Sequence, residues 1–200
     1  RFSLVEIIIL RSLKHRLDYR PPLSIVIPAR NEEGNIKNAI RLLPDFGTKT
    51  EVIFVEGHSS DNTWDEIGKV SGEYTGPLTI KRIKQTGKGK GNAVREGFAQ
   101  AEGELLTILD ADLTMPPQLM PRFYEAFLEG HGEIINGSRL LYPMEGEAMR
   151  TLNWFGNVFF AKALSYVLGI RLSDSLCGTK LFTKTCYCYL KHQLDMLYLK

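Results

Sequence analysis

Between residues 23 and 109, four short apolar runs alternate with three stretches of helical periodicity, and this alternation limits the fold more than any other feature. Residues 23–27, 51–55, 78–83 and 104–109 read as strands from their β-branched, apolar content and their length. Residues 32–43 read as a helix, with Ile36, Ala39, Ile40 and Leu43 three and four apart and Pro44 as its stop. A second helix begins over 63–70, and a third spans 92–101 with Ala93, Val94, Gly97, Phe98 and Ala101 on one face. Strands and helices in this rhythm predict an α/β fold with a mostly parallel central sheet and helices on both faces. Such sheets hold ligands beyond the carboxyl ends of their strands. Three polar loops fall at such ends, at 28–32, 56–61 and 110–114.

The loop at 110–114 is the most informative. Asp110 and Asp112 follow a buried strand, separated by one alanine. Residues two apart on a strand point the same way, so the two carboxylates repel unless a cation lies between them. Hard oxygen ligands of this kind suit Mg2+ or Mn2+. A pair of solvated turn carboxylates is the plainer alternative. Residues 87–91, Gly-Lys-Gly-Lys-Gly, form a flexible basic loop before the third helix; Lys88 and Lys90 suit a diphosphate or a solvated turn. No G-x-G-x-x-G follows the first strand, and no G-x-x-x-x-G-K-[ST] or G-x-S-x-G occurs. Dinucleotide, P-loop and α/β-hydrolase chemistry are thereby disfavoured.

Beyond residue 115 the pattern loosens. A helix is expected from Pro116-Pro117 to about Glu129 with Pro121 in its first turn, a strand over 133–136, a helix over 147–169 and a last strand over 178–183. Residues 1–22 form an amphipathic or linker segment ending at Pro21-Pro22, and 23–200 form the domain. Its nucleotide-binding half spans about 23–115 and its acceptor half about 116–200. The first residue is Arg1, so a missing native start is expected.

Taken together, several stretches resemble family 2 glycosyltransferases of GT-A fold, and within them the dolichyl-phosphate mannose synthase-like (polyprenyl-phosphate glycosyltransferase) branch. The resemblance rests on Ser-Ile-Val-Ile-Pro-Ala-Arg-Asn-Glu-Glu at 24–33, Val-Glu-Gly-His-Ser-Ser-Asp-Asn-Thr at 55–63 and Gly-Lys-Gly-Lys-Gly-Asn-Ala at 87–93. It continues with Leu-Asp-Ala-Asp-Leu at 109–113, Gly-Ser-Arg at 137–139 and Asp-Ser-Leu-Cys-Gly-Thr-Lys-Leu-Phe at 174–182.

The resemblance implies a Rossmann-like sheet and inverting, metal-dependent transfer of a hexose from a nucleotide-diphosphate sugar to a polyprenyl phosphate. Pro28, Ala29, Asn31, Glu32, Glu56, Lys90 and Asp110 would bind the nucleotide sugar, and Asp110 and Asp112 the metal. Asp112, Arg139 and Asp174 would be catalytic; Arg139 and Lys180 would hold the acceptor. Four departures from the family pattern stand out: Glu56-Gly-His58 for Asp-Asp-Gly, Thr114 for a frequent Gln, Cys177 for Ser and Lys180 for Arg. Asp61 reads as a cap for the following helix. The alternatives are transfer to a sugar or protein hydroxyl, or a non-catalytic nucleotide-binding domain, the latter because 184–190 does not continue the family pattern and a truncation is expected there. A sugar-nucleotidyltransferase would need a glycine-rich loop directly after the first strand, which is absent.

Composition restricts the partners. A net charge of +2 on 200 residues argues against nucleic acid. No apolar run of about 18 residues occurs, and residues 6–10 are too short for a signal peptide. Residues 155–170, apolar nearly all round with Lys162 interrupting, suit either a membrane surface or a core or oligomer interface. The expected location is cytoplasmic, peripheral to the cytoplasmic face of a membrane. Cys177, Cys186 and Cys188 lack zinc-site spacing and read as reduced thiols; the Asn136-Gly-Ser sequon reads as accidental.

Overall fold

The computed structural model describes residues 5–8, 17–137, 159, 162–163, 165–166 and 177–198, with the backbone alone at 5–8 and 194–198. The strands are β1 (Val5–Ile8), β2 (Leu23–Ala29), β3 (Thr50–Glu56), β4 (Leu78–Lys84), β5 (Leu105–Ile108), β6 (Ile134–Gly137) and β7 (Lys180–Thr183). They form one sheet in the order β1-β6-β7-β5-β2-β3-β4. The strands richest in apolar residues on both faces, β2 and β3, pair in parallel through their whole length, from Leu23 opposite Thr50 to Ala29 opposite Glu56. Both are almost wholly buried, as a parallel sheet covered on two sides requires. β5 and β4 add in parallel on either side.

The helices follow from the periodicities. α1 (Glu33–Arg41) buries Ile36, Ala39 and Ile40, and α2 (Thr63–Glu73) buries Ile67 and Val70. With α4 (Met120–Leu128), which buries Phe123 and Tyr124, they cover one sheet face carrying Ile25, Ile27, Val52 and Phe54. α3 (Lys90–Gln100) covers the other face, where Val26, Ile53, Val55 and Leu106 meet Ala93 and Phe98. α5 (Lys184–Tyr198) extends that layer, with Tyr187 edge-on to Phe98. Each fully buried Ile or Phe here contributes about 1.5–3 kcal/mol relative to exposure. The expectation of helices on both faces is met. Pro121 sits in the first turn of α4 behind a short 3-10 turn at Pro117–Leu119, where its missing N–H costs no helical bond.

Three features differ from the sequence reading. β7 runs antiparallel to both β5 and β6, so the sheet is mixed. The two reversals leave β6 pointing the same way as β5, and its carboxyl end joins the edge where β2, β3 and β5 end. Val5–Ile8, placed in a separate amphipathic or linker segment, instead pairs antiparallel with β6 as an edge strand. α3 starts at Lys90 rather than residue 92. Gly89, at φ +82, turns the chain into it. The segment just before β2 is also pinned: Leu17 N–H donates to Leu128 O at 2.8 Å and Tyr124 Oη to Pro21 O at 2.8 Å.

At the amino end of the sheet, Glu51 is buried and gathers a polar cluster. Its Oε1 accepts from Ser24 Oγ at 2.5 Å and Glu102 N–H at 2.6 Å, and Lys81 Nζ lies 2.8 Å from Oε2. Burial alone would raise its pKa. The bonds from Lys81, Ser24 and Glu102 outweigh burial and lower it. Of the helix expected over 147–169, the described residues 159, 162–163 and 165–166 are helical, and Phe159, Lys162 and Tyr166 are exposed. Among the described residues no helix is long and apolar enough to cross a membrane.

Candidate active site

The carboxyl ends of β2 to β5 surround a cavity of about 250 Å³. Each strand delivers its side chains through a loop held by hydrogen bonds, and after β5 Ala111 and Met115 also pack into the core. After β2, Asn31 adopts φ 57; its N–H donates to Ser59 Oγ at 3.0 Å and its Oδ1 accepts Ser60 N–H at 2.8 Å. After β3, Gly57 N–H donates to Ala29 O at 2.9 Å, and His58 adopts φ 58. After β5, Leu113 adopts φ 55. Among the described residues these are the three non-glycine residues with left-handed backbone, and all lie on the site's loops. Such conformations persist where surrounding bonds over-determine them, and they cluster at functional sites.

Asp61 ties two helix starts together. Its Oδ1 accepts Thr63 N–H at 3.0 Å and the Thr63 hydroxyl, and its Oδ2 accepts Glu33 N–H at 3.3 Å. The Thr63 hydroxyl, and then the backbone N–H groups, hold its pKa below the ordinary carboxylate value. The expected cap for α2 therefore also serves α1.

The basic loop is not slack. Glu96 accepts from Thr86 N–H at 2.9 Å, Thr86 Oγ1 at 2.7 Å and Gly87 N–H at 3.2 Å, and the Thr86 bonds lower its pKa. His58 Nε2 lies 3.0 Å from Gly87 O; a carbonyl only accepts, so that nitrogen carries the hydrogen. Gln85, the residue after β4, donates Nε2 to Gly89 O at 2.9 Å and to Asn92 Oδ1 at 2.7 Å. These bonds fix the start of α3, whose first turn has no side-chain cap. Its free N–H groups and dipole favour an anion at that end.

Lys90, the first residue of α3, places Nζ 2.5 Å from Asp110 Oδ1. Asp110 is largely buried, and its Oδ1 receives this charge without a well-directed hydrogen bond. Gly178, in the lead to β7, closes over the pair: a Cβ there would lie 2.6 Å from Asp110 Oδ2 and 3.0 Å from Lys90 Nζ. Asp112 is exposed, and Thr114 donates to its Oδ1 from N–H at 3.1 Å and from Oγ1 at 3.0 Å. Thr114 thus orients the second carboxylate.

Of the expected site residues, Pro28, Ala29, Glu32, Lys90, Asp110 and Asp112 line the one cavity. Asn31 and Glu56 do not form its wall. Glu56 is buried and accepts Ser59 N–H at 2.6 Å, so it shapes the loop. Lys180 lies on β7, its Nζ within bonding distance of Asn136 Oδ1 and Cys177 O. Arg139 and Asp174 lie outside the described residues. Arg30, Gly57 and Gln85 belong to the wall and were not expected. Gln85 was findable, since it is the polar residue directly after a parallel strand.

A model of the family described as "Glycosyl transferase family 2" matches residues 24–190. The chain belongs to glycosyl transferase family 2. Among curated relatives, a dolichol-phosphate mannosyltransferase of Pyrococcus furiosus is 34% identical over 119 residues, covering 58% of this chain and 33% of its own. One of Saccharomyces cerevisiae is 33% identical over 108 residues, covering 52% of this chain and 40% of its own. This chain therefore spans well under half the length of those relatives. Among solved structures, glucosyl-3-phosphoglycerate synthase from Mycobacterium tuberculosis, in complex with Mn2+, UDP and glucosyl-3-phosphoglycerate, superposes with a TM-score of 0.60 at 21% identity. That match covers 82% of this chain and 57% of the synthase, and it shows the GT-A fold.

Proposed function

We propose that this family 2 domain transfers a hexose, with inversion, from a nucleoside-diphosphate sugar to a polyprenyl phosphate, working with Mg2+ or Mn2+ at the cytoplasmic face of a membrane. The observation that carries the reading is the convergence of Asp110, Asp112, Lys90 and the uncapped start of α3 on one cavity. Acids and bases so arranged suit a diphosphate held jointly with a divalent cation. The names of the two mannosyltransferases and the Mn2+ and UDP of the synthase support the donor and acceptor classes.

The residues present fit a divalent cation. Asp110, whose Oδ1 is ion-paired with Lys90 Nζ at 2.5 Å, and Asp112, two residues on, are hard oxygen donors in the wall of one cavity. Two carboxylates completed by substrate phosphates is a usual Mg2+ arrangement. When bound, the ion would neutralise charge on the diphosphate.

The chain's own groups do the rest. Lys90 and the first N–H groups of α3 stabilise negative charge as the diphosphate leaves, in a site organised beforehand. Thr114 holds Asp112 in place for the donor. A phosphate acceptor is already an anion at neutral pH, so it attacks the anomeric carbon without a strong general base. Arg139 and Lys180 would hold that phosphate, and Asp174 would be a further catalytic residue. The test is incubation with UDP- or GDP-hexose labelled in the sugar, polyprenyl phosphate and MnCl2. Solvent-extractable label with inverted anomeric configuration is expected. Label that stays aqueous with a polyprenyl phosphate acceptor, for every donor tried, overturns the acceptor assignment.

A further inference from the structure

We infer that Gln85 reads the base of the donor nucleotide, and that it selects a base carrying a ring imide or lactam N–H, of the uracil or guanine type. The inference rests on the nucleotide-sugar reading above. In that reading Asp110 and Asp112, in the loop after β5, take the diphosphate end of the donor. Gln85 lies across the sheet at the end of β4, in the wall of the same cavity.

The direction of its amide is fixed by chemistry. Gln85 is 5% exposed, and its backbone N–H donates to Glu56 O at 2.9 Å. Its side-chain nitrogen faces Gly89 O at 2.9 Å, and a backbone carbonyl can only accept. The nitrogen therefore cannot exchange places with the oxygen. Its second N–H goes to Asn92 Oδ1 at 2.7 Å, so both donors are used. The remaining atom, Oε1, accepts no hydrogen bond from any described residue and is not fully buried, and it belongs to a residue of the cavity wall.

Gly57 keeps that oxygen open. A Cβ at residue 57 would lie 3.1 Å from Gln85 Oε1, whereas its other neighbours, Arg30 Cβ and Ala29 O, would sit at ordinary contact distances of 3.4 and 3.5 Å. Glu56, the alternative acid for this task, gives Oε1 to Ser59 N–H and is not part of the cavity wall. A fixed, buried acceptor accepts the ring N–H of uracil or guanine. It faces a lone pair at the equivalent ring nitrogen of cytosine or adenine. A buried polar group left unpaired discriminates strongly, here by about 10-fold or more.

The test measures binding of UDP against CDP, and GDP against ADP, by calorimetry with MnCl2, with inorganic pyrophosphate as the control for the diphosphate end. Wild type is expected to favour UDP over CDP, or GDP over ADP, by about 10-fold or more. Gln85→Met should bring that ratio toward one while pyrophosphate binding persists. Because Gln85 also holds Gly89, Gly57→Ala is the second variant: it crowds Oε1 and leaves the Nε2 bonds in place. It should lower the same ratio. A wild-type ratio near one overturns the inference, as does a ratio unchanged in Gly57→Ala and in folded Gln85→Met, and in either case tight nucleotide binding leaves the donor reading standing. Failure of wild type to bind any of the four nucleotides overturns the donor reading and this inference together.

Discussion

Gly97→Ala sets two effects of opposite sign against each other. Glycine inside a helix costs about 1 kcal/mol relative to alanine, so on propensity alone the substitution stabilises α3. The structure opposes it. A Cβ at residue 97 would lie 2.4 Å from Val26 Cγ1, 3.0 Å from Val26 Cγ2 and 3.1 Å from Val55 Cγ2. Both valines are fully buried in the central strands, and a β-branched side chain has little freedom to rotate away. Overpacking of this kind costs about 1–3 kcal/mol, more where the backbone cannot shift. At 2.4 Å the contact takes the upper part of that range, about 2–3 kcal/mol, so sterics win by about 1–2 kcal/mol, or roughly 2–8 °C in Tm for a chain of this size. Relief by tilting α3 off the sheet would also move Lys90 away from Asp110, so nucleotide affinity should fall with stability. Chemical denaturation of wild type, Gly97→Ala, Val26→Ala and the double variant measures the coupling. The double variant should recover part of the loss, because removing the Val26 methyls makes room. A Gly97→Ala protein as stable as wild type, or additive effects in the cycle, would refute the claim that close approach of α3 to β2 and β3 sets its position.

Three other outcomes follow from the same geometry. The pKa of Glu51 is depressed in the fold, so its stabilisation is complete above its ordinary value and is lost as pH falls through the folded one; wild-type Tm should drop below about pH 4.5, and Glu51→Gln should flatten that limb while costing about 1–3 kcal/mol at pH 7. Asp112→Asn should abolish Mn2+-dependent transfer with an unchanged circular dichroism spectrum; undiminished activity would remove Asp112 from the metal site. Gly178→Ala places a methyl against Asp110 and Lys90, so it should weaken pyrophosphate binding more than it lowers Tm; the reverse order would make Gly178 a folding residue only.

The strands and helices of the first half were legible because burial on two faces writes long apolar runs, and one buried helix face writes a three-to-four spacing. Leu23, Val52 and Ile36 carry that information locally. The antiparallel course of β7 was not legible, since Lys180–Thr183 has the same pattern in either direction. Nor was β1, whose residues 5–8 share an apolar and basic stretch that also suits an amphipathic helix. In the site, Asp110 and Asp112 stood out because carboxylates after a buried strand need an explanation. Gln85 carried only the weak signal of a polar residue directly after a strand, and Gly57 none, because a neutral amide and a missing side chain acquire their meaning beside each other. The roles of Glu56 and Asn31 were read as ligand contacts. The structure adds that both hold loops, through hydrogen bonds to Ser59 and Ser60 that no spacing rule reveals.

The central claim is that Asp110, Asp112 and Lys90 form one site for a diphosphate and a divalent cation. Ligand that binds the folded state raises its melting temperature. The direct measurement is the Tm of wild type and Asp112→Asn with UDP- and GDP-hexoses, each with MnCl2 and with EDTA. The account predicts a rise for at least one donor in wild type with MnCl2, reduced by EDTA and reduced again in Asp112→Asn. An equal rise in all three conditions, or none in wild type, contradicts it.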